Sequence, residues 1–349
     1  MDGQKIHLRN VTKPNLQAYL KSRHFPAFRA DQILHWIFAK NVSSFEEMRN
    51  LPKDLIADLK EHTVLGRLCL VSTHESSNHE SVKFLTRTDD GHLCESVLIT
   101  QSKRETICVS TQLGCKMGCI FCASGKGKFG RNLTAGEIVE QISLMQRHRK
   151  KPVTNVVFMG MGEPLDNYDE VMKSIEILQA DWGFGLGARR ITVSTSGITP
   201  KIVEFVKRSE GRVRLSISLH SSQDAKRTEL VPINKKYNLP ELIQTLNELH
   251  TKLKREITFE YTLLDGVNDS KEEAMGVAKI ARRLGAKVNI IPYNPIADME
   301  FKTPSQQKIE LFRSVLEKNG IRVIVRQTAG RDINAACGQL RRLRETPAV

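Results

Sequence analysis

Three cysteines in close succession, Cys115, Cys119 and Cys122, constrain this chain more than any other stretch. They stand in a Cys-x3-Cys-x2-Cys spacing, after an apolar run that reads as a strand and before a Gly-rich loop. A structural zinc site calls for four ligands, usually as two separated pairs of Cys or His, and no second pair is present. Three thiolates on one tight loop instead suit a [4Fe–4S] cube in which the fourth iron stays open to a ligand. A zinc knuckle completed by a distant histidine, or ordinary buried thiols, are the alternatives the spacing leaves open. Phe121, between two of the ligands, reads either as a shield for a cluster or as a core residue.

The spacing resembles the signature of the radical S-adenosylmethionine (SAM) superfamily. That resemblance implies that the open iron chelates SAM and that an electron from the cluster cleaves the sulfonium to a 5′-deoxyadenosyl radical. The protein's share is then to position the groups and to exclude water and oxygen.

A chain of 349 residues has room for one large domain and a small one. Its 40% hydrophobic and 26% charged residues describe a soluble globular protein. No apolar run approaches the ~20 residues that span a bilayer, and the N-terminus lacks the apolar core of a signal peptide. Seven cysteines, four of them clustered between residues 108 and 122, point to a reducing cytoplasm rather than a disulfide scaffold. Fifty-three Lys and Arg against 39 Asp and Glu leave a net charge of +14, which implies a polyanionic partner such as nucleic acid, or simply a basic enzyme.

Within residues 1–62, residues 13–60 carry helical periodicity: Leu16, Tyr19 and Leu20, then Ile33, Leu34, Ile37 and Phe38 beside Trp36. Ser44 with Glu47 forms a capping box, and Pro52 is placed to open a further helix at its first turn. This unit reads as a small helical accessory domain whose Lys21, Arg23, His24 and Arg29 either meet phosphates or form a solvated face. Residues 63–104 change to alternation, with Asp89-Asp90-Gly91 as a hairpin turn, and read as an antiparallel β extension. Residues 105–326 alternate strands (Ile107 to Ser110, Asn155 to Met159, Ile191 to Thr195, Arg214 to Leu219, Ile257 to Leu263, Lys287 to Ile291, Ile321 to Arg326) with six helical patterns. The expected fold is α/β: a partial (β/α)6 radical SAM barrel with right-handed crossovers. Residues 327–349 form a tail carrying Cys337, with Arg341, Arg342 and Arg344 after it.

In such a barrel the chemistry sits where strands end. Gly160-Met161-Gly162-Glu163-Pro164 follows the second strand, Ser194 ends the third, Ser218, Leu219 and His220 end the fourth, and Asn294 follows the sixth. Each alone reads as a turn or cap residue; their convergence on one rim points to cofactor binding. Glu163 suits the SAM amino group, and the serines and Asn294 suit its carboxylate and ribose. Cys69 and Cys94 read as core or strand residues, which leaves Cys108 and Cys337 unassigned.

Nearly the whole chain resembles the RlmN/Cfr family of radical SAM methyltransferases that methylate adenosine in RNA. The resemblance rests on Cys108-Val-Ser-Thr-Gln, the cluster motif, Arg131-Asn-Leu-Thr134, the Gly160–Pro164 loop, Ser194-Thr-Ser-Gly197, Ser218-Leu-His220, Pro292-Tyr-Asn-Pro295 and Ala336-Cys-Gly-Gln-Leu340. Phe28-Arg-Ala-Asp-Gln-Ile33 is similar to the family's accessory domain. The family implies that Cys337 takes a methyl group from one SAM, and that a second SAM supplies the radical that activates that methyl. Cys108 would then resolve the adduct through a transient disulfide with Cys337, and Glu95 would remove a proton from the attacked carbon. It further implies 23S rRNA and tRNA as substrates, a reductant such as flavodoxin or ferredoxin, and a monomer. Pro164 and Ala123-Ser124-Gly125 are more similar to the branch that makes 2-methyladenosine than to the branch that methylates C8. A non-catalytic iron–sulfur RNA-binding protein is the rival from another class.

Overall fold

The computed structural model describes residues 5–102, 104–296, 299–326 and 330–340. The N-terminal unit begins with β1 (Ile6–His7) and continues through the helices α1 (Lys13–Ser22), α2 (Arg29–Leu34) and α3 (Lys53–His62) to β2 (Thr63–Val64). α2 runs on into a π turn over His35–Ala39, and its apolar stripe Ile33, Leu34, Ile37 and Phe38 is buried as the periodicity predicts. The carbonyls left over at the end of that helix need donors. Arg9, itself buried, supplies them: its guanidinium donates to Ile37 O (2.8 Å) and Val42 O (3.0 Å). The capping box of Ser44 and Glu47 is present, whereas Pro52 precedes α3 as its N-cap rather than opening its first turn. β1 pairs in parallel with β2, so Thr63 and Val64 belong to this unit instead of starting the β extension.

The remaining strands form one ten-stranded sheet in the order β12-β11-β10-β9-β8-β7-β6-β5-β4-β3. β3 (Leu68–Glu75), β4 (Ser81–Thr88), β5 (Leu93–Gln101) and β6 (Arg104–Val109) are antiparallel neighbours. From β6 onward every pairing is parallel: β7 (Asn155–Phe158), β8 (Ile191–Thr195), β9 (Arg214–Ser218), β10 (Thr258–Leu263), β11 (Lys287–Pro292) and β12 (Val323–Val325). The helices α4 (Ala123–Lys126), α5 (Ala135–Arg149), α6 (Tyr168–Gln179), α7 (Thr199–Arg208), α8 (Asp224–Leu230), α9 (Leu239–Leu249), α10 (Lys271–Arg283) and α11 (Gln306–Lys318) fall in the connections. Sequential order with parallel pairing is what a partial β/α barrel requires. Residues 330–340 of the tail hold no helix or strand, and Arg341, Arg342 and Arg344 lie outside the described residues. No helix among the described residues is long and apolar enough to cross a membrane.

α5 shows how sequence sets one of these elements. Ile138, Val139, Ile142 and Met145 recur at helical spacing and are buried, each contributing about 1.5–3 kcal/mol. Its start is fixed by a capping box: Thr134 Oγ1 accepts from Glu137 N–H, and Glu137 accepts from Thr134 N–H. Arg131 then donates to both Glu137 oxygens (2.7 and 2.9 Å) and to Asp90 in the β4–β5 turn (2.5 and 2.9 Å). The hydrogen bonds from Arg131 hold the Asp90 carboxyl well below the usual range. The N-terminal unit rests on the same helix, with Asn10 accepting from Gly136 N–H and Asn41 donating to Ser143 O. Arg131→Ala leaves the buried Glu137 short of donors, and should lower unfolding stability by about 1–3 kcal/mol. A shifted denaturant midpoint checks this, and Arg131→Lys should recover only part of it because one ammonium cannot make both forks.

Candidate active site

The cluster loop leaves β6 at Ser110 and is bound at once to the loop after β7. Gly160 N–H donates to Val109 O (3.0 Å), Met161 N–H to Ser110 Oγ (2.8 Å) and Glu163 N–H to Gln112 Oε1 (2.8 Å). Thr111 N–H in return donates to Met161 O (2.9 Å). Such close approach requires glycine. At Gly162, φ is +99° and an added Cβ would stand 2.6 Å from Gln112 Cβ. Gln112 also donates from Nε2 to Asn132 (2.8 Å) and Asp166 (2.7 Å), so the base of the loop is held from both sides.

Cys115, Cys119 and Cys122 line one cavity of about 160 Å³. Burial pushes the Cys115 thiol up to about 12, and raises Cys119 and Cys122 as well. Thiolate ligands must lose these protons, so loading of iron is coupled to proton release. Among the described residues no three Cys, His, Asp or Glu side chains converge as ligands of a single metal ion. The three thiols instead share one cavity wall, a donor set that suits a cube held by one thiolate on each of three irons. Phe121 is buried at the edge of the core. It lines the cavity, packs with Leu230, Val231, Leu264 and Tyr293, and meets the His220 ring edge-on at 4.7 Å.

Gly162, Glu163, Ser194, Ser218 and His220 line the same cavity. His220 is buried, and its Nδ1 accepts from Thr262 N–H (2.9 Å), which leaves the ring proton on Nε2. Burial, with the nearby Arg227 charge, pushes this histidine down to about 3, so it is neutral. Glu163 is buried and its carboxylate is engaged: Oε1 accepts from Leu165 N–H and Oε2 from Ser196 N–H and Oγ. It therefore ties the loop after β7 to the loop after β8 while forming part of the wall. Leu219 is absent from the lining; its N–H donates to Glu260 O, and its carbonyl accepts from Arg227 Nε. Asn294 faces the neighbouring cavity and donates from Nδ2 to Cys337 O (3.1 Å).

That second cavity, of about 470 Å³, is lined by Cys108 and Cys337 together. Cys122, Ser124, Met159, Gly160, Ile291, Arg326, Cys337 and Gly338 line both cavities, which places the two unassigned thiols beside the cluster wall. The tail is latched there by main-chain bonds: Ala123 N–H donates to Gly338 O (2.8 Å) and Ser124 Oγ to Leu340 O (2.6 Å). Cys108 is buried in β6, and burial pushes its thiol up to about 12, whereas Cys337 is exposed. Glu95 is buried on β5, on the face shared by Ile99 and Gln101, which line the cavity. It does not itself line the cavity, and Lys83 Nζ stands 3.1 Å from its Oε1.

Sequence reasoning missed Thr195, Ser196, Glu260, Thr262 and Arg326, all of which line the cluster cavity. Arg326 ends the apolar run of the last strand, the position that drew attention to the other rim residues. Glu260 lies mid-strand, where alternation alone reads as barrel interior. Gly162→Ala forces a left-handed φ on a Cβ residue against Gln112, and should destabilise the fold by about 1–3 kcal/mol. Denaturant unfolding, paired with the iron content of reconstituted protein, measures both the strain and the displaced loop.

Residues 109–278 match the model of the radical SAM superfamily, and residues 6–65 match the N-terminal domain of ribosomal RNA large subunit methyltransferases. A protein of Desulforamulus reducens named "Probable dual-specificity RNA methyltransferase RlmN" is 43% identical over 345 residues, covering 99% of this chain and 98% of its own. One of the same name from Clostridium botulinum is 45% identical over 333 residues, covering 95% of each. The crystal structure of a radical SAM methyltransferase from Sphaerobacter thermophilus superposes with a TM-score of 0.92 at 42% identity, over 96% of this chain and 99% of that one. The expected fold, with its accessory N-terminal domain, stands on these matches as well as on the sheet, and the chain belongs to the RlmN family of radical SAM RNA methyltransferases.

Proposed function

We propose that this enzyme makes 2-methyladenosine in 23S rRNA and in tRNA at the adenosine adjacent to the anticodon. The observation that carries the reading is that Cys108 and Cys337 line one cavity whose wall is shared with the cluster cavity. Ring carbon C2 offers no nucleophile for a direct methyl displacement, so the carbon must be delivered by another route. When bound at the cluster, SAM supplies a carbon radical strong enough to abstract hydrogen from a methyl group.

The residues divide the remaining work. Cys115, Cys119 and Cys122 hold the cluster. Gly162, Glu163, Ser194, Ser218 and His220 shape the SAM side, with Leu219 and Asn294 supporting it through their neighbours. Cys337, exposed on its latched tail, accepts a methyl group from one of two SAM molecules used per turnover, and presents that carbon to the base. Cys108 then attacks the Cys337 sulfur, forming a disulfide as the sulfur–carbon bond to the base breaks; the carbon keeps that pair and takes up a proton, which leaves the base methylated and free. Glu95 removes the proton from the substituted ring carbon, and its burial on the cavity side of β5 suits a base that must not exchange freely with water. Residues 1–62, with exposed Lys21 and His24, serve the RNA. Arg23 is already engaged by Asp58 and Arg29 by Gln32, so these two contribute less. A flipped, unstacked adenine fits the partly apolar second cavity of Ile99, Val157, Met159 and Ile291. This reading places a monomer in the cytoplasm, served by a flavodoxin- or ferredoxin-type reductant.

Nucleoside analysis of RNA from cells lacking the protein should show 2-methyladenosine lost. A deficit of the 8-methyl isomer instead would move the assignment to C8. Cys337→Ala should reduce turnover to background while iron content and RNA binding stay normal; retained methylation would remove Cys337 from the chemistry. Cys108→Ala should leave RNA covalently attached to the protein, visible as a nuclease-sensitive shift on a denaturing gel.

A further inference from the structure

One buried polar chain in the barrel has no part in the account so far. Glu260 on β10 is buried, and its carboxylate accepts from Ser216 Oγ on β9 (3.1 Å) and Asn289 Nδ2 on β11 (3.1 and 3.3 Å). A carboxylate buried inside a barrel is expensive unless a cation partners it. Arg326, just after β12, is that cation, with Nη2 3.6 Å from Glu260 Oε1. Its other nitrogen, Nη1, reaches Cys337 Sγ at 3.5 Å, while Nη2 also approaches Met159 Sδ at 3.6 Å. Arg326 thus stands on the wall common to both cavities, braced by three strands and directed at one sulfur.

We propose that Arg326, braced by Glu260, is a positioning residue that hydrogen-bonds the Cys337 sulfur and aims it for methyl transfer. The proposal rests on the reading of Cys337 as the methyl acceptor. In the step, a Cys337 sulfur–carbon bond forms as the methyl–sulfonium bond of SAM breaks, and the bonding pair leaves with the departing thioether. The thiol proton has already gone to solvent, to which Cys337 is exposed. A thiolate and a sulfonium become two neutral thioethers, so charge balances. The Glu260 charge, largest among the influences on Arg326, raises its pKa, so the guanidinium stays charged throughout.

Two physical consequences favour this role over a purely structural brace. The bond from Nη1 sets where the Cys337 sulfur stands on the wall common to both cavities, which a brace confined to the barrel interior would not do. Methylation leaves a thioether, only a weak acceptor for Nη1, so the loaded side chain is released toward the base. Cys108 receives no hydrogen bond from Arg326 among the described contacts and is buried, which separates the thiol that is alkylated first from the thiol that resolves.

The test is alkylation of unmodified Cys337 in folded holoenzyme, followed by peptide mass spectrometry with iodoacetamide and with iodoacetate. Arg326→Gln should slow iodoacetamide roughly tenfold and anionic iodoacetate more, and Arg326→Lys should recover most of the loss. Methyl occupancy of Cys337 in protein isolated from cells should fall in R326Q and return in R326K. Circular dichroism and iron content report whether the fold is kept, and Glu260→Gln, which keeps the arginine but unbraces it, gives the same readout should R326Q misfold. Wild-type rates with both reagents in folded R326Q or E260Q would overturn the proposal. Slowed alkylation in R326Q, with Cys337 never methylated in the wild type, would instead overturn the acceptor reading while the positioning of the sulfur by Arg326 stood.

Discussion

The parallel pairing of β6 through β12 in chain order is the constraint from which the site follows. Parallel neighbours put all their carboxyl ends on one rim, and each rim loop is then free to vary while the strands beneath stay fixed. The cluster loop leaves the first of these strands, Glu163 the second, Ser196 the third and His220 the fourth. Their contacts are between loops: Glu163 binds the Ser196 main chain, Gln112 binds the Glu163 main chain, and His220 accepts from Thr262. A rim built this way behaves as one rigid collar, since moving any loop breaks hydrogen bonds in its neighbour.

Much of that was legible in the residues. Alternating strand and helix patterns located the ends of the parallel strands within three residues, because a parallel strand buried on both faces reads as an apolar run. The three-cysteine spacing located the cluster loop, since few folds tolerate so many thiols together. Glu260, Arg326 and the engagement of Glu163 were not legible. Each depends on a partner more than thirty residues away, and periodicity carries no information about which strands become neighbours. Leu219 and Asn294 were drawn in by position alone; in the structure their polar groups are spent on Arg227, Glu260 and Cys337.

The two cavities differ in character because different forces shape them. The cluster side is walled by thiols, hydroxyls and a neutral histidine, together with the ionisable side chains of Glu163, Glu260 and Arg326. The other side is walled by Ile99, Val157, Ile291 and Ile324, with the latched tail as its floor. Cys337 stands where the two meet, on a segment held by hydrogen bonds to the cluster loop and by the burial of Ala335, Ala336 and Leu340 on either side of it. Cys337 itself is exposed, whereas Cys108 is buried in a central strand.

The sheet runs from β3 to β12 and its terminal strands do not pair. Ile99 and Gln101 of β5 and Ile324 and Val325 of β12 border the larger cavity from opposite sides. The chamber is therefore the gap that an eighth β/α unit would have filled. For the proposed reaction, such an open flank would let a bulky polynucleotide remain outside while a single base slides in.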